Sequence, residues 1–158
     1  MWLGFLHKAA HADLLVLLDT VQFEKNSFQN RNKIRSAQGS TWLTAPVVKK
    51  ESHTTLIKDR KISYEHKWTG RYINLLKVNY GESPYFNDYF PQIKALIEEE
   101  QSHLANLNTK LIRWLLSCFE INTPTRMASE LDLPIIQGGT QVTLQIAVEV
   151  GAKVYLSG

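Results

Sequence analysis

The chain has 158 residues, enough for one hydrophobic core, and its 44% of apolar and 21% of charged residues exclude a disordered protein. Its 18 basic and 15 acidic residues leave a net charge of +3, an excess too small to indicate a nucleic-acid partner. No apolar run reaches the roughly 18 residues of a membrane-spanning helix, and the first residues lack the order of a signal peptide. The single cysteine, Cys118, has no partner for an intramolecular disulfide, and its apolar neighbours predict a buried thiol. We therefore expect a cytoplasmic protein without a membrane span.

The first predicted elements are a helix and a buried strand. Apolar residues recur with a helical period over residues 2–12, and Leu14–Leu18 then form an apolar run. A short run that is apolar throughout is typical of a strand covered on both faces, as in the parallel sheet of an α/β protein. Asp19 follows as the polar residue that ends this strand.

The middle of the chain predicts a hairpin followed by helices. Strands are expected at Lys33–Ser36 and Thr41–Val48, on either side of the turn-forming residues 37–40, and at Leu56–Ile62. Apolar residues then recur every three or four positions in three segments, which predicts three successive helices. These segments are Tyr64–Tyr80, Tyr85–Gln101 and Leu104–Glu120. We expect them to form a helical insert at about residues 64–120, with most of their aromatic side chains in the core and a sugar-stacking surface as the alternative.

The last part of the chain predicts a strand, a helix and a strand. Thr125–Leu131 returns as a strand, and residues 140–150 form a helix that Gly151 ends. Lys153–Leu156 is the last strand, so the predicted fold class is α/β with a mainly parallel sheet in a single domain, residues 1–158. Because a predicted helix begins at once and no closing element follows the last strand, we expect this domain to be a fragment.

A cluster of polar residues follows the first predicted strand. In open α/β sheets ligands bind beyond the carboxyl ends of the strands, so Asp19 and the residues after it are placed to bind a polar or phosphorylated ligand. Arg31 can hold phosphate or carboxylate through two parallel hydrogen bonds. The other members of the cluster are Gln22, Lys25, Asn30, Asn32, Lys33 and Arg35. The alternative interpretation is a solvated loop.

A second candidate group lies at the start of the first helix. Gly4 would let a ligand approach the first helical turn, where the helix N-terminus favours anions, and His7 and Lys8 follow it. Considered by its spacing alone, a histidine near a helix start is more often structural than catalytic. The other histidines show no metal-ligand spacing, so no metal site is predicted.

Several segments resemble the WbqC-like protein family of bacteria. The residues Trp-Leu-Gly-Phe-Leu-His-Lys at 2–8, Ala-Asp at 12–13 and Leu-Leu-Asp-Thr-Val-Gln-Phe at 17–23 resemble the opening of the family, and Gln-Asn-Arg-Asn-Lys-Ile at 29–34 continues it. Further segments resemble the family in the same order, so the resemblance covers nearly the whole chain. They are residues 39–46, Leu107–Asn108, residues 129–131 and the ending Gly-Ala-Lys-Val-Tyr-Leu-Ser-Gly at 151–158.

The resemblance implies that the chain is truncated at both ends. The family begins earlier, with a strand and a Gln-Pro-x-Tyr-x-Pro stretch before Trp2, and continues beyond Gly158. The missing strand would pair centrally in the sheet, so we expect an open cleft beside the sheet rather than a closed cavity. The sequence departs from the family at Gly138–Thr140, where the family is more basic and less rich in glycine.

The resemblance also implies a function and a fold. The function is the synthesis of O-antigen, a part of lipopolysaccharide, or of a related surface polysaccharide, with transfer of glycine or another acyl group to an amino sugar. The fold is similar to the first half of a Rossmann-like, nucleotidylyltransferase-like domain. The Ser157–Gly158 pair that ends the matched segments is expected among the substrate-binding residues.

The first functional hypothesis is an acyl transferase that acts on a nucleotide-linked amino sugar. ATP or another nucleotide would activate the acid, although the sequence does not identify the cofactor. The predicted catalytic residues are His7, Asp19, Asn30 and Arg31, and the predicted substrate-binding residues are Gly4, Lys8, Gln22, Asn32, Lys33, Ser157 and Gly158. His7 and Lys8 would stabilise phosphate charge, Arg31 and Lys33 would hold phosphate or carboxylate, and Asp19 with Asn30 would orient the acceptor. We expect Gly4, His7, Asp19, Gln22, Asn30 and Arg31 to converge on one pocket.

The second hypothesis is a protein that binds a nucleotide-sugar, or scaffolds other polysaccharide enzymes, without turnover. It uses the same polar cluster for affinity alone. A small anionic ligand is the expected partner under both hypotheses, nucleic acid is not, and the sequence does not indicate the oligomeric state.

Overall fold

The computed structural model describes residues 3–52, 54–133 and 139–156. These residues form five α-helices and four β-strands, so the protein has a mixed α/β fold, as predicted. The helices are α1 (Leu3–Ala10), α2 (Trp68–Tyr80), α3 (Phe86–Glu98), α4 (Leu104–Cys118) and α5 (Gly139–Glu149). The strands are β1 (Leu15–Leu17), β2 (Arg31–Ser36), β3 (Gly39–Thr44) and β4 (Thr125–Met127). Across these three ranges, every helix is too short or too polar to cross a membrane.

The chain divides into two compact units. The discontinuous unit comprises residues 1–21 and 112–158, and the continuous unit comprises residues 22–111. Helix α4 contributes its first half to the continuous unit and its second half to the discontinuous one. The predicted single domain with an insert at residues 64–120 stays a prediction, although α2, α3 and α4 are helices where the sequence predicts them.

A parallel strand pair is the centre of the discontinuous unit. Strand β1 pairs with β4, with Val16 opposite Arg126, and the Leu15 amide donates to the Pro124 carbonyl at 2.9 Å. Leu15 packs with a cluster formed by α1 and α4, whereas Val16 and Leu18 pack with a cluster that includes α5. Both faces of the predicted strand are therefore covered, although its residues are half-buried rather than fully buried.

The strand predicted at Lys153–Leu156 is wrong. This segment is not a strand, and Val154 and Tyr155 are 76% and 62% exposed. A strand needs a neighbour with which to exchange backbone hydrogen bonds, and no segment within the described ranges pairs with it. The preceding helix does end as predicted, because Gly151 takes a left-handed φ of 66°.

The sheet is smaller than the sequence predicts. The described residues form one parallel pair, β1 with β4, and one antiparallel pair, β2 with β3, so the prediction of a mainly parallel sheet holds for the first pair alone. The predicted strand at Leu56–Ile62 is also wrong, because residues 57–59 form a 3-10 turn. The chain there makes single bridges to separate partners, such as Val47 with Ile62, rather than a continuous ladder.

The continuous unit has its own apolar core. Its most buried side chains are Ile97 of α3 and Leu104 of α4, which pack with Phe23 and Trp68. Tyr72 lies against this cluster, and burial raises the pKa of its phenol to about 12. Of the helical aromatic residues, Trp68 is buried and Tyr72 and Phe90 pack against this core, whereas Tyr85 and Tyr89 are exposed, so the prediction of a core position holds for some of them only.

Cys118 is half-buried rather than buried, which corrects the sequence prediction. It is the last residue of α4, and the two residues after it are exposed, so the end of the helix covers the thiol incompletely. Partial desolvation nevertheless raises the pKa of the thiol above its usual value. The raised pKa leaves little thiolate at neutral pH, which is typical of a structural cysteine.

Candidate functional site

Asp19 is a buried carboxylate that holds the turn after β4. Its side chain is 3% exposed, and it accepts the Ser129 amide at 2.9 Å on Oδ1 and the Ser129 hydroxyl at 2.6 Å on Oδ2. Ser129 lies in the 3-10 turn at Ala128–Glu130, directly after β4. Because β1 and β4 are parallel, Asp19 joins the carboxyl ends of the two strands. This is the sheet edge at which the sequence places it, but Ser129 bonds both of its carboxylate oxygens.

The candidate residues of α1 lie on a short helix with an exposed histidine pair. The rings of His7 and His11 have centroids 4.3 Å apart, and His11 Nδ1 lies 2.8 Å from the His7 carbonyl oxygen. Both side chains are exposed, whereas Gly4 and Lys8 are half-buried. Among the residues with described positions, no three His, Cys, Asp or Glu side chains are grouped as metal ligands.

An apolar groove of about 610 Å³ runs beside β1. Leu14, Leu15, Val16 and Leu18 line one wall, and residues 150–156 line another. Side chains of adjacent strand residues point to opposite faces, so a groove that meets both Leu15 and Val16 lies at the edge of the strand. The predicted ligand cleft stays a prediction, although a groove does lie beside β1. Its lining includes Lys8 but not Gly4, His7 or Asp19.

The other candidate residues lie in and next to the β2–β3 hairpin of the continuous unit. Asn30 closes the open end of the hairpin, because its side-chain amide donates to the Ala45 carbonyl at 2.9 Å while the Ala45 amide donates to the Asn30 carbonyl. The Asn32 side-chain oxygen accepts the Lys33 amide at 2.8 Å. Gln22 is exposed and forms a single bridge with Leu56. The two asparagines thus support local backbone structure.

The outward side chains of β2 and β3 form a basic surface, which we call the hairpin face. Residues alternate between the faces of a strand, and here the alternation places Leu43 inside, 4% exposed, and every second residue outside. The hairpin face consists of Arg31, Lys33 and Arg35 on β2 and of Ser40, Trp42 and Thr44 on β3. No ion pair joins its three cations to an acidic side chain in the part of the chain that the structure describes.

Trp42 is the centre of the hairpin face. The Arg31 guanidinium carbon lies 4.2 Å from the centroid of its ring, and Lys33 Nζ lies 5.0 Å from it. The ring of Phe28, which is 71% exposed, is tilted against Trp42 with a centroid separation of 5.6 Å. Cation–π attraction holds the two basic groups beside the aromatic pair. Arg31 also donates to the Asn26 carbonyl, and its buried Nε has no partner among the described groups.

The hairpin face has the chemistry of an anion site with aromatic groups beside it. Guanidinium and ammonium groups that lack acidic partners donate charge-assisted hydrogen bonds to phosphate or carboxylate. Exposed aromatic rings stack on the flat faces of bases and sugars. Of the polar cluster predicted from the sequence, Arg31, Lys33 and Arg35 belong to this surface. Trp42, Phe28 and Ser129 were not among the predicted site residues, although Trp42 is recognisable as the one aromatic residue among the outward positions of β3.

The predicted convergence of the candidate residues on one pocket stays a prediction. Gly4, His7, Lys8 and Asp19 belong to the discontinuous unit, whereas the candidates from Gln22 to Lys33 belong to the continuous unit. Within the continuous unit the structure does bring Arg31 and Lys33 together, both over Trp42. The predicted substrate-binding residues Ser157 and Gly158 lie outside the described residues.

Comparisons with known proteins identify a family and a relative to which this chain is similar. The model of the WbqC-like protein family matches residues 2–158. The uncharacterized protein Rv1507c of Mycobacterium tuberculosis is 27% identical over 158 residues, which cover 99% of this chain and 67% of that protein. No solved structure gives a significant match. Since the family model matches almost every residue, the chain belongs to the WbqC-like protein family.

Proposed function

We propose that this protein acts in the synthesis of a bacterial surface polysaccharide, such as the O-antigen of lipopolysaccharide, on a nucleotide-linked amino sugar. The observation that carries the proposal is the hairpin face, where Arg31, Lys33 and Arg35 have no acidic partner among the described residues. Three cations on one surface would repel each other less with an anion between them, and the phosphates of a nucleotide-sugar supply such an anion. Family membership supports the same ligand class.

The proposed reaction is the transfer of glycine or another acyl group to the sugar amine. The carboxylate oxygen of the acid bonds to a phosphorus of ATP or another nucleotide and expels pyrophosphate or the nucleoside diphosphate, which gives an acyl phosphate. The amine nitrogen then forms a bond to the acyl carbon as the bond from that carbon to the phosphate oxygen breaks, the nucleoside monophosphate or phosphate leaves, and the amine loses a proton. His7 and Lys8 are the proposed groups that stabilise the phosphate charge. The proposed location is the cytoplasm, and the proposed wider fold is Rossmann-like, which the β1–β4 parallel pair supports.

An assay for the amide product tests the reaction. The protein is incubated with ATP, glycine and a UDP-linked amino sugar, and the mixture is analysed by mass spectrometry. We expect an acylated sugar nucleotide, and we expect Arg31→Ala to reduce its formation about tenfold or more through loss of a charge-assisted contact. Absence of any amide across a broad panel of acids and amino sugars would contradict the transferase proposal.

A second candidate is a protein that binds nucleotide-sugars without turnover. Two proposed catalytic residues already bond to other residues of the protein, which favours this candidate. Asp19 accepts hydrogen bonds from Ser129, and Asn30 donates one to the Ala45 carbonyl. Calorimetry separates the candidates when it is combined with the product assay. Saturable binding of the sugar nucleotide without an amide product supports this second function.

A further inference from the structure

We infer that the hairpin face binds a nucleoside diphosphate, with the base stacked on the Phe28–Trp42 pair and the diphosphate on the cations of β2. The inference rests on the proposed function, because it names how the sugar nucleotide would be held. It adds an aromatic base site and assigns the cations to the diphosphate rather than to the acyl carboxylate.

The spacing of the three cationic residues along β2 fits two adjacent phosphates. Alternate residues of a strand lie about 7 Å apart on one face. Lys33 is flanked at this spacing by Arg31 and Arg35, so two adjacent phosphates can each meet a different cation, with Lys33 between them. Lys33 and Arg35 are exposed and Arg31 is half-buried, and none of the three has an acidic partner among the described residues. Binding an anion therefore breaks no existing ion pair at these positions.

The Phe28–Trp42 pair is the feature that indicates a ligand with a base. Phe28 is 71% exposed and Trp42 is 37% exposed, so both rings keep apolar surface in contact with water. Phe28 lies outside the hairpin strands and packs on Trp42 at 5.6 Å, which widens the aromatic surface beside Arg31. A surface that binds phosphate alone would need the cations but would not need these rings. A base stacked on them covers apolar area and stays next to the cations that hold its phosphates.

Calorimetric titration with three probes tests the ligand class. The probes are uridine diphosphate, uridine, which lacks phosphate, and inorganic pyrophosphate, which lacks a base. We expect uridine diphosphate to bind saturably and at least about tenfold more tightly than either of the other two, since each partial probe loses one set of contacts. Added salt should weaken the binding of both phosphate probes. No saturable binding of uridine diphosphate, or equal affinity for pyrophosphate, overturns the inference.

Matched variants test the residues. Trp42→Leu should weaken binding of uridine diphosphate about tenfold and leave pyrophosphate binding nearly unchanged, whereas Trp42→Phe, which keeps a ring, should retain most of the affinity. Arg31→Ala with Lys33→Ala should weaken both phosphate probes about tenfold or more. Lys49→Ala with Lys50→Ala removes the same charge from exposed positions of the same unit and should change neither. Equal effects of the two double variants overturn the inference.

The results also separate this inference from the proposed reaction. Binding of uridine diphosphate with the expected variant pattern, without any amide product, supports the inference and contradicts the acyl transfer. Amide formation with an unchanged KM for the sugar nucleotide in Arg31→Ala/Lys33→Ala contradicts the inference and the role of the hairpin face in the proposed reaction, while the amide product itself supports acyl transfer. Circular dichroism of each variant, compared with the unmodified protein, shows that the hairpin remains folded.

Discussion

The carboxylate of Asp19 is buried at the end of β1, where Ser129 donates two hydrogen bonds to it. Ser129→Ala removes the hydroxyl donor and leaves a carboxylate oxygen with one fewer partner in a buried position. Loss of a hydrogen bond to a buried charged group costs about 1–3 kcal/mol. We expect the free energy of unfolding to fall by that amount, as measured from urea denaturation.

A matched serine provides the control for this prediction. Ser117 lies in the same unit, is exposed, and donates its hydroxyl to the Trp114 carbonyl within α4. Ser117→Ala should change the free energy of unfolding by less than about 0.5 kcal/mol, as is usual for an exposed position. If both alanine variants have the same stability, the Asp19–Ser129 contact does not stabilise the fold.

Tyr72 makes stability depend on pH in the alkaline range. Burial raises the pKa of its phenol from 10.0 to about 12, so between these values the folded chain keeps a proton that the unfolded chain releases. The stability that the folded chain gains from the protonated Tyr72 phenol is fully present below pH 10 and is lost as the pH rises towards 12. We expect urea denaturation at about pH 9 and about pH 11.5 to show a loss of stability that Tyr72→Phe reduces by up to about 2 kcal/mol.

Tyr85 is the control for the alkaline prediction. Its side chain is 70% exposed, so Tyr85→Phe should leave the pH dependence of the unmodified protein in place. If Tyr72→Phe loses as much stability between the two pH values as Tyr85→Phe does, ionisation of Tyr72 is not coupled to folding.

The helices offer two glycines whose substitution should have opposite effects. Gly151 follows α5 with a φ of 66°, and a Cβ there would meet no atom within 4 Å, so the backbone conformation alone opposes a side chain. Gly70 lies within α2, where a Cβ would also meet nothing within 4 Å, and its φ is helical. Gly151→Ala should destabilise the protein by about 1 kcal/mol. Gly70→Ala should stabilise it by about 0.5–1 kcal/mol.

Urea denaturation of both glycine variants measures these effects. The pair controls for the added methyl group, because the new side chain is the same and has free space at each site. The expected result is one lower and one higher midpoint than that of the unmodified protein. Two midpoints shifted in the same direction would show that backbone conformation does not decide the effect.

At the scale of elements, the sequence predicts segments with local signals and misses those that depend on neighbours. The periodic helices, the turn between β2 and β3 and the helix end at Gly151 follow from residue patterns and glycine conformation. The strand at Lys153–Leu156 does not form, because its apolar residues have no adjacent strand among the described residues. Apolar composition indicates a potential strand, but pairing decides whether it forms.

The candidate site shows the same limit for individual side chains. The sequence indicates Asp19, Arg31 and Lys33 as polar residues next to predicted strands, and the structure places the two cations together over Trp42. It does not indicate that Ser129, which is 110 residues from Asp19 in the chain, would bond that carboxylate. Nor does it show that Asn30 closes the hairpin. Long-range partners depend on the register of β2 with β3 and of β1 with β4, which no local motif specifies.

For the whole molecule, the division into units gives a prediction about folding. The continuous unit is one stretch of chain with its own core, in which Leu104 is 0% and Ile97 is 1% exposed. We expect a shortened protein of residues 22–118, which keeps α4 intact, to unfold cooperatively in urea. A segment of about 100 residues is long enough to fold independently, and at roughly 0.05 kcal/mol per residue its stability should be about 5 kcal/mol.

Two measurements and one variant test the independent folding of residues 22–118. Far-ultraviolet circular dichroism follows α2, α3 and α4, while tryptophan fluorescence combines the signals of Trp42, Trp114 and Trp68, the last of which is buried in the core. The two signals should change at the same urea concentration if the segment unfolds as one unit. Ile97→Ala should cost about 2–5 kcal/mol and so abolish or strongly lower the transition, because it empties the centre of this core. A broad, noncooperative change in the unmodified segment, or an Ile97→Ala midpoint equal to it, would show that this core does not fold by itself.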